Sequence, residues 1–368
     1  MSKTIGLYPD IILGIDTRRL CLSKLGSNLH HVINVSPEQY IIEGNTITFF
    51  PGEEPDHDVI STLVERGFAY RLLEKPSSFS DNGLHMIQRD DSVENELYQY
   101  FTITFILDRI SALPAFHFPH IRGTEHKFSD GDLDIGHVRK RLSEIKYFRK
   151  IRLISNNILR HTDILLMEEL KDKEIEVFVG QDYYLRHIKE LNTFSRQLHI
   201  IVYIDDIRKF NECGDIPHTN NVSVSYFCQI GSDEDLDLFL ESNIKAIPFP
   251  SPDASETVLH SLLDYSEEDI LQTPTTKRDQ FLKKAINKLF FGNTIIDNNG
   301  NINSYPFCDY EANSEESFGT VVKKLADNVF WRLRRSDYFE KCKECAFVDL
   351  CSPISNYEIN AKQTFCTD

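Results

Sequence analysis

Six apolar, β-branched runs alternate with helical segments between Glu94 and Ser251, and this alternation limits the fold more than any other feature. The runs are predicted strands: Tyr100–Leu107, Ile151–Ile154, Ile175–Val179, Leu198–Ile204, Val222–Cys228 and Ile244–Phe249. The predicted helices are Ile135–Phe148, Thr162–Leu170, Tyr184–Phe194 and Asp233–Ser242. Nearly continuous apolar strands that alternate with helices are typical of a covered parallel sheet. The pattern predicts an α/β fold, either an open doubly wound sheet or a partial (βα)6 barrel, with any chemistry at the C-terminal strand ends.

The segments on either side of this region have different patterns. Residues 1–77 predict four short strands, Thr4–Leu13, His31–Val35, Tyr40–Ile42 and Thr46–Phe50, then the helix Asp58–Arg66 and a closing strand Phe68–Leu73. This order suits a small winged-helix-like module. We expect a polar linker at 78–97, the α/β region at 98–290 and a C-terminal extension at 291–368 that begins with the hairpin Asn293–Asn303.

Four of the eight cysteines, Cys342, Cys345, Cys351 and Cys366, lie close to the end of the sequence with the spacing C-x2-C-x5-C-x14-C. Thiolates are soft ligands, and four of them suit a tetrahedral Zn²⁺ ion or an iron–sulfur cluster. Inert buried thiols are the alternative, because free cysteine is often buried. The C-x-x-C pair and the clustering favour a metal site, and the residues leave zinc and [4Fe-4S] both open.

The charge balance and the N-terminal sequence limit the partners and the compartment. The formal net charge is −17, which disfavours nonspecific nucleic-acid binding because phosphate neutralisation needs an excess of Lys and Arg. No apolar stretch reaches the length of a membrane span, and no signal-peptide pattern opens the sequence. We therefore expect a cytoplasmic protein, where clustered cysteines are more often metal ligands than disulfides.

The cysteine-rich extension resembles the SPASM or twitch extension of radical-SAM peptide maturases. The resemblance rests on Cys342, Cys345, Cys351 and Cys366, on Pro353 and Ser355-Asn356-Tyr357-Glu358, and on the preceding Phe330-Trp331-Arg332-Leu333-Arg334 and Gly319. It is nearest to the pseudo-radical-SAM proteins of Bacteroidales GG-type peptide modification systems. The resemblance implies a radical-SAM-like partial barrel, a [4Fe-4S] cluster on the four cysteines, and binding of a precursor peptide or an active radical-SAM maturase.

Two departures from that family bear on activity. Radical-SAM enzymes bind the SAM-reducing cluster through C-x3-C-x2-C after the first barrel strand, but residues 108–123, DRISALPAFHFPHIRG, contain no cysteine. The glycine-rich SAM motif after the second strand is replaced by Ser155-Asn156-Asn157. Ser355 stands where the full extension has a cysteine, and Cys308 is the one candidate remnant of a further cluster. The resemblance thus implies a catalytically silent homologue, with no SAM cleavage, in the biosynthesis of a ribosomally synthesised peptide.

Two other functions stay open on the residues. A repurposed barrel enzyme could use His117, His120, Asp205 or Asp206 for acid–base or metal-assisted work. Against it, His117 and His120 suit aromatic packing, and Asp205 and Asp206 suit a helix N-cap. An electron relay would pass electrons from a cluster on the tail cysteines to a partner enzyme.

Overall fold

The computed structural model describes residues 3–8, 10–50, 57–71, 102–108, 131–145, 148, 150–194, 196–211, 221–242, 245–251, 253–276, 279, 282–283, 285–304, 315–326 and 329–367. The predicted linker at 78–97 lies outside these residues, as do His117, His120, Cys213 and Cys308. Among the described helices, none has both the length and the apolar character needed to cross a bilayer.

The N-terminal module is built mainly of antiparallel strands. Its described elements are β1 (Lys3–Leu7), β2 (Ile11–Ile15), β3 (Arg19–Lys24), β4 (His30–Asn34), β5 (Tyr40–Glu43), β6 (Thr46–Phe49), the helix α1 (His57–Glu65) and β7 (Ala69–Arg71). One sheet has the order β5-β6-β1-β7 and the other the order β2-β3-β4. Leu20, Ile47, Leu63 and Phe68 are fully buried between these elements. Seven strands and one α-helix are described here, and the winged-helix-like comparison stays a prediction.

The central region is an α/β unit. Its elements are β8 (Thr102–Ile106), α2 (Ile135–Glu144), β9 (Lys150–Ile154), α3 (Thr162–Leu165), β10 (Glu174–Gly180), α4 (Gln181–Leu191), β11 (Leu198–Ile204), α5 (Ile207–Asn211), β12 (Val222–Ile230), α6 (Asp233–Glu241) and β13 (Ala246–Pro250). Short 3-10 helices lie at Ile158–His161 and Glu168–Leu170. All six predicted strands are present, and so are the four predicted helices, of which Thr162–Leu170 is divided between α3 and the second 3-10 helix.

The strands β8 to β13 pair in parallel and in chain order. A doubly wound sheet reverses its strand order at a switch point, and this order has no reversal. Right-handed crossovers in a sheet wound in one direction place the helices on one face. Along the described chain, no pairing joins the edge strands β13 and β15 (Ile302–Ser304). The α/β architecture is confirmed, whereas barrel closure stays a prediction.

The C-terminal region extends the central sheet and then becomes helical. Its elements are α7 (Glu256–Leu263), α8 (Glu267–Gln272), β14 (Asn293–Ile296), β15, α9 (Phe318–Ala326), α10 (Arg335–Tyr338), α11 (Glu340–Lys343) and α12 (Asn356–Ala361). The predicted hairpin is confirmed as β14 and β15. β14 also pairs in parallel with β8, which makes a seven-stranded parallel sheet with β15 antiparallel at its edge. Trp331 and Cys342 pack in the core that covers this sheet.

Candidate metal centre

The four predicted ligands line one cavity of about 720 Å³. The same cavity is lined by charged and polar side chains from distant parts of the chain: Asp16, Arg18, Arg19, Asn34, Tyr265, Glu267, Arg335, Lys341 and Glu344. The sequence spacing predicted that the thiols share a site, and the structure brings all four to one cavity. It also adds walls from the N-terminal module and from the segment around α8.

Short helices and a tight turn hold the first three thiols. Cys342 lies in α11 and its amide donates to the carbonyl of Phe339 at 3.1 Å. Cys345 begins a turn, and Cys351 ends it with an amide that donates to the carbonyl of Phe347 at 2.9 Å. The amide of Phe347 donates to Cys345 Sγ at 3.4 Å. A backbone N–H directed at sulfur stabilises the thiolate form that a metal needs.

Cys366 is positioned by pairing with a remote residue. It forms an isolated parallel bridge with Tyr265. The Tyr265 amide donates to the carbonyl of Phe365 at 3.0 Å, and the Thr367 amide donates to the carbonyl of Tyr265 at 3.1 Å. These bonds hold the fourth thiol beside the turn that contains the other three, even though it follows them by 15 positions or more in the sequence.

A buried ion pair supports the cavity wall. Arg335 donates two hydrogen bonds to the carboxylate of Glu358, at 2.5 and 2.8 Å, and a third to the carbonyl of Ser352 at 3.2 Å. Both side chains are about 95% buried or more. Ser355 is the N-cap of α12 and forms a capping box with Glu358. Ser355 thus has a structural role, because it orients the carboxylate that holds Arg335.

Burial sets the protonation of the thiols. It raises the pKa of Cys342 and Cys345, and it raises the pKa of Cys351 to about 12. Arg335 acts in the opposite direction on Cys342 and Cys351 because its cation favours the thiolate. The other three thiols affect the pKa of Cys351 through their charge, which places all four in one electrostatic environment. A metal bound by these thiols would therefore displace their protons.

The thiols surround a cavity rather than a single point. Within the described residues, no three His, Cys, Asp or Glu side chains are grouped closely enough to hold one metal ion. The described cysteines, the four tail residues among them, form no disulfides. Four soft donors on a common cavity, one of them bonded by a backbone N–H, are of the ligand type that metal–thiolate centres use, but their described positions do not bring three of them onto one ion. The residues that would hold it are Cys342, Cys345, Cys351 and Cys366.

The N-terminal module packs directly on the cysteine turn. Arg19 bonds to Asp16 and Glu267, and its guanidinium lies 5.1 Å from the centre of the Phe347 ring. A methyl group at Gly14 would lie 1.6 Å from the carbonyl oxygen of Ala346, so only a glycine permits this approach. Cys21, which the sequence analysis did not assign to the site, is buried in the same apolar cluster as Phe347. No local sequence signal marks these contacts, because they join distant segments.

Cys351 also lines a second, smaller cavity of about 270 Å³. Arg335, Val348 and Cys351 line both cavities. Lys283 lines the smaller one, and its ammonium donates to the carbonyl of Leu350 at 2.5 Å. Burial lowers the pKa of Lys283.

The C-terminal ends of β8 and β9 have a polar network. Asp108 accepts hydrogen bonds from Ser155 Oγ at 2.5 Å and from the Asn156 amide at 3.0 Å. His161 Nε2 lies 3.5 Å from the Asp108 carboxylate. Burial favours the neutral acid, but His161, Ser155 and Asn156 together hold the pKa of Asp108 below its usual value. The sequence had predicted no role for Asp108, Ser155 or His161.

The aspartates suggested for a repurposed enzyme lie elsewhere. Asp205 is exposed, and Asp206 accepts from the Arg208 amide at 3.1 Å at the start of α5. This fits the N-cap interpretation of Asp206. The structure brings neither residue to the Asp108 network or to the cysteine cavity in any described contact.

No protein-family model, no curated protein and no solved structure matches this chain.

Proposed function

We propose that this chain is a metal–thiolate scaffold protein that does not itself cleave SAM. It acts in the maturation of a ribosomally synthesised peptide, where it binds the precursor peptide or an active radical-SAM maturase. The observation that carries the proposal is the convergence of Cys342, Cys345, Cys351 and Cys366 on one supported cavity, beside the absence of any cysteine from the sequence at 108–123.

The ends of β8 and β9 support the proposal that this chain does not itself cleave SAM. A radical-SAM site needs three thiolates and an exposed backbone loop near these strand ends. Here Ser155 and Asp108 are buried, hydrogen-bonded to each other, and Ser155 Oγ also accepts from the Asn157 amide at 2.9 Å. A buried polar network whose members satisfy one another stabilises a fixed arrangement.

We take an iron–sulfur cluster as the first candidate and zinc as its alternative. A zinc ion holds four sulfurs at about 2.3 Å in a tight tetrahedron, and no three described His, Cys, Asp or Glu side chains are grouped closely enough to hold one ion. In a [4Fe-4S] cluster each cysteine binds a different iron, so the sulfurs surround a larger core. When bound, such a cluster supplies one-electron chemistry. This supports electron relay as the second candidate function.

The N-terminal module supports a role in partner binding. Asp16, Arg18, Arg19 and Asn34 line the wall of the cysteine cavity. A peptide or enzyme bound to this module would therefore lie beside the metal centre. Residues of both charges occur on this wall, which suits a polar peptide better than an apolar one.

Metal analysis of anaerobically purified protein tests the metal centre. We expect iron, sulfide and a broad visible absorbance in the wild type, loss of all three in Cys342→Ala, and their retention in the control Cys228→Ala, which removes a buried thiol elsewhere in the fold. One zinc per chain and a colourless protein would exclude the cluster and the relay. Metal retained by Cys342→Ala would exclude the site.

The scaffold role has its own test. Reconstituted protein incubated with SAM and dithionite should form no 5′-deoxyadenosine above background. Production of 5′-deoxyadenosine would overturn the proposal.

A short precursor gene and an intact radical-SAM gene beside this one should encode the partners, and the purified maturase or precursor should bind the full chain in anaerobic titration. Absence of binding to both would leave no scaffold function.

A further inference from the structure

Residues 362–367 follow α12 and form part of one wall of the cysteine cavity; we call this segment the strap. Cys366 of the strap and Tyr265, which lies between α7 and α8, both line the cavity of about 720 Å³. The strap belongs to none of the described helices or sheets, and Cys366 pairs with Tyr265 in an isolated bridge. The closed position of the strap therefore depends on local contacts.

The strap is held closed by Tyr265 and α7. The Tyr265 amide donates to the carbonyl of Phe365 at 3.0 Å, and the amide and hydroxyl of Thr367 donate to the carbonyl of Tyr265 at 3.1 and 3.3 Å. The side chain of Phe365 is 2% exposed, and its ring centre lies 5.9 Å from that of His260. Burial of a phenylalanine side chain stabilises more than one neutral hydrogen bond does, so Phe365 is the main anchor.

The strap begins at a strained residue. Lys362 is the C-cap of α12 and has φ 53° and ψ 30°, in the left-handed region. It is the one non-glycine residue with a positive φ in the part of the chain that the structure describes. A residue with a Cβ is disfavoured in this conformation, so the turn that brings the strap back over the cavity costs free energy.

A second unfavourable feature lies within the closed strap. Thr364 Oγ1 is buried and has no hydrogen-bond partner among the described residues. A buried hydroxyl without a partner loses its hydrogen bonds to water and gains none in return. Movement of the strap away from the cavity relieves this cost and the strain at Lys362 together. Segments held by few contacts can open locally while the rest of the fold stays intact.

We propose that the strap is a gate, which opens as a unit about Lys362 while α12 and the central sheet stay folded, and which controls entry to the cysteine cavity. Opening moves Cys366 away from the other three thiols and exposes the cavity wall at Tyr265. The inference concerns access to the cavity and does not rest on a bound metal.

Hydrogen exchange of the Tyr265 and Thr367 amides in the full chain measures the opening. Thr364→Val replaces the unpartnered hydroxyl with a methyl group and should slow exchange at both amides about fivefold. Lys362→Gly relieves the strain and should slow it about threefold, since the added freedom of the open state offsets part of the gain. Phe365→Ala removes the anchor and should speed exchange about tenfold or more.

Thiol labelling tests whether the opening controls entry to the cavity. The reduced full chain, treated with a chelator so that no metal protects the thiols, reacts with fluorescein maleimide, and mass spectrometry locates the labelled positions. The three cavity thiols outside the strap should react more slowly in Thr364→Val and faster in Phe365→Ala, in step with amide exchange. Cys228, which is buried elsewhere in the fold, should react at the wild-type rate in every variant.

Thr193→Val is the matched control for the loss of a hydroxyl. The Thr193 hydroxyl is exposed and donates to the carbonyl of Glu190 at 2.6 Å, at the end of α4. This variant should leave amide exchange in the strap and labelling of the cavity thiols unchanged. Thr364→Val and Lys362→Gly stabilise the closed state, so they decide the test even if Phe365→Ala does not fold.

Two results would overturn the proposal. The first is exchange of the Tyr265 and Thr367 amides at the rate of the Ile359 amide, which bonds within α12 at 3.1 Å, because the strap would then open only together with that helix. The second is a change in strap exchange with no change in labelling of the cavity thiols, because the strap would then move without controlling entry.

Discussion

The Arg335–Glu358 pair is the most deeply buried ion pair among the described residues of the tail, with both side chains 5% exposed or less. Its two short hydrogen bonds join separate guanidinium nitrogens to separate carboxylate oxygens, which is the strong bidentate arrangement for this pair. Glu358 also completes the capping box of α12 with Ser355. One carboxylate therefore fixes a helix end and a wall of the cysteine cavity together.

Glu358→Gln should destabilise the metal-free protein by about 3–5 kcal/mol, because it leaves the buried guanidinium of Arg335 without its charge partner. The amide at this position can still complete the capping box, so the loss reports the ion pair. Urea denaturation, monitored by the fluorescence of the tail, measures this change in the free energy of unfolding. Glu340→Gln is the control, since the Glu340–Lys343 pair is largely exposed and should change stability by less than about 1 kcal/mol. A Glu358→Gln protein as stable as the wild type would contradict the role given to the pair.

For individual residues, the sequence predicted the members of the site that have a local motif and missed those that do not. The four tail cysteines share a chemistry and a spacing, so their common cavity could be predicted. Arg335 and Glu358, or Asp108 and Ser155, are ordinary charged and polar residues separated by 23 and 47 positions. Their pairing follows from the folded chain alone. A metal at these cysteines stays a prediction.

Among the elements, long apolar runs were predictable and short mixed strands were not. The strands β8 to β13 were all predicted because their β-branched residues form a continuous core. β3 was missed because its sequence, RLCLSK, has no β-branched or aromatic residue. It is a strand because β2 and β4 pair with it on both sides. The predicted strand Thr4–Leu13 is divided into β1 and β2 for a similar reason, since each part pairs in a different sheet.

The parallel register of β9 and β10 places a buried carboxylate between two cations. Glu176 pairs in register with Arg152 and also bonds to Lys150, at 2.8 and 2.5 Å. Burial favours the protonated acid, but the two cations hold the pKa of Glu176 below its usual value. A carboxyl whose pKa is lower in the folded state stabilises the fold above its unfolded pKa, and this contribution is lost as the pH falls through the folded value.

Glu176→Gln should therefore lower stability near neutral pH by about 1–3 kcal/mol, the range for hydrogen bonds to charged groups. The difference from the wild type should be constant above about pH 5 and should shrink as the pH falls below the ordinary glutamate pKa of 4.5 and through the lower folded value, because the wild-type carboxyl becomes protonated there. Urea midpoints across this pH range measure the effect. Glu174→Gln is the control, since Glu174 also pairs with Lys150 but its side chain is 47% exposed. A difference that stays constant with pH would show that shape, not charge, is responsible.

For the whole molecule, the central question is how the N-terminal module and the cysteine tail are held together. β2 and β3 pack on the turn after Cys345 through the cluster of Cys21, Ala346 and Phe347. The Arg19–Glu267 pair joins the same module to α8. Sequence analysis treated module and tail as separate units because nothing in either one signals the other. In the structure, residues of both the N-terminal module and the tail line the cysteine cavity.

Gly14 provides the most direct test of this coupling. A methyl group there would lie 1.6 Å from the carbonyl oxygen of Ala346, and a backbone atom cannot move aside as a flexible side chain does. Gly14→Ala should therefore separate β2 from the cysteine turn without altering any thiol. Hydrogen exchange should rise in residues 11–24 and 342–351 together, and should stay unchanged in the strands of the central sheet. Metal loss to a chelator should become faster as well, because one wall of the cavity is displaced.

The matched control is Gly180→Ala, at a position where a methyl group meets no atom within 4 Å. Its exchange pattern and metal retention should equal those of the wild type, so any effect of Gly14→Ala reflects the contact and not the loss of a glycine. If Gly14→Ala protects the cysteine turn as well as the wild type does, module and tail fold independently. The cavity would then belong to the tail alone, and a partner bound to the N-terminal module could not affect the metal through this contact.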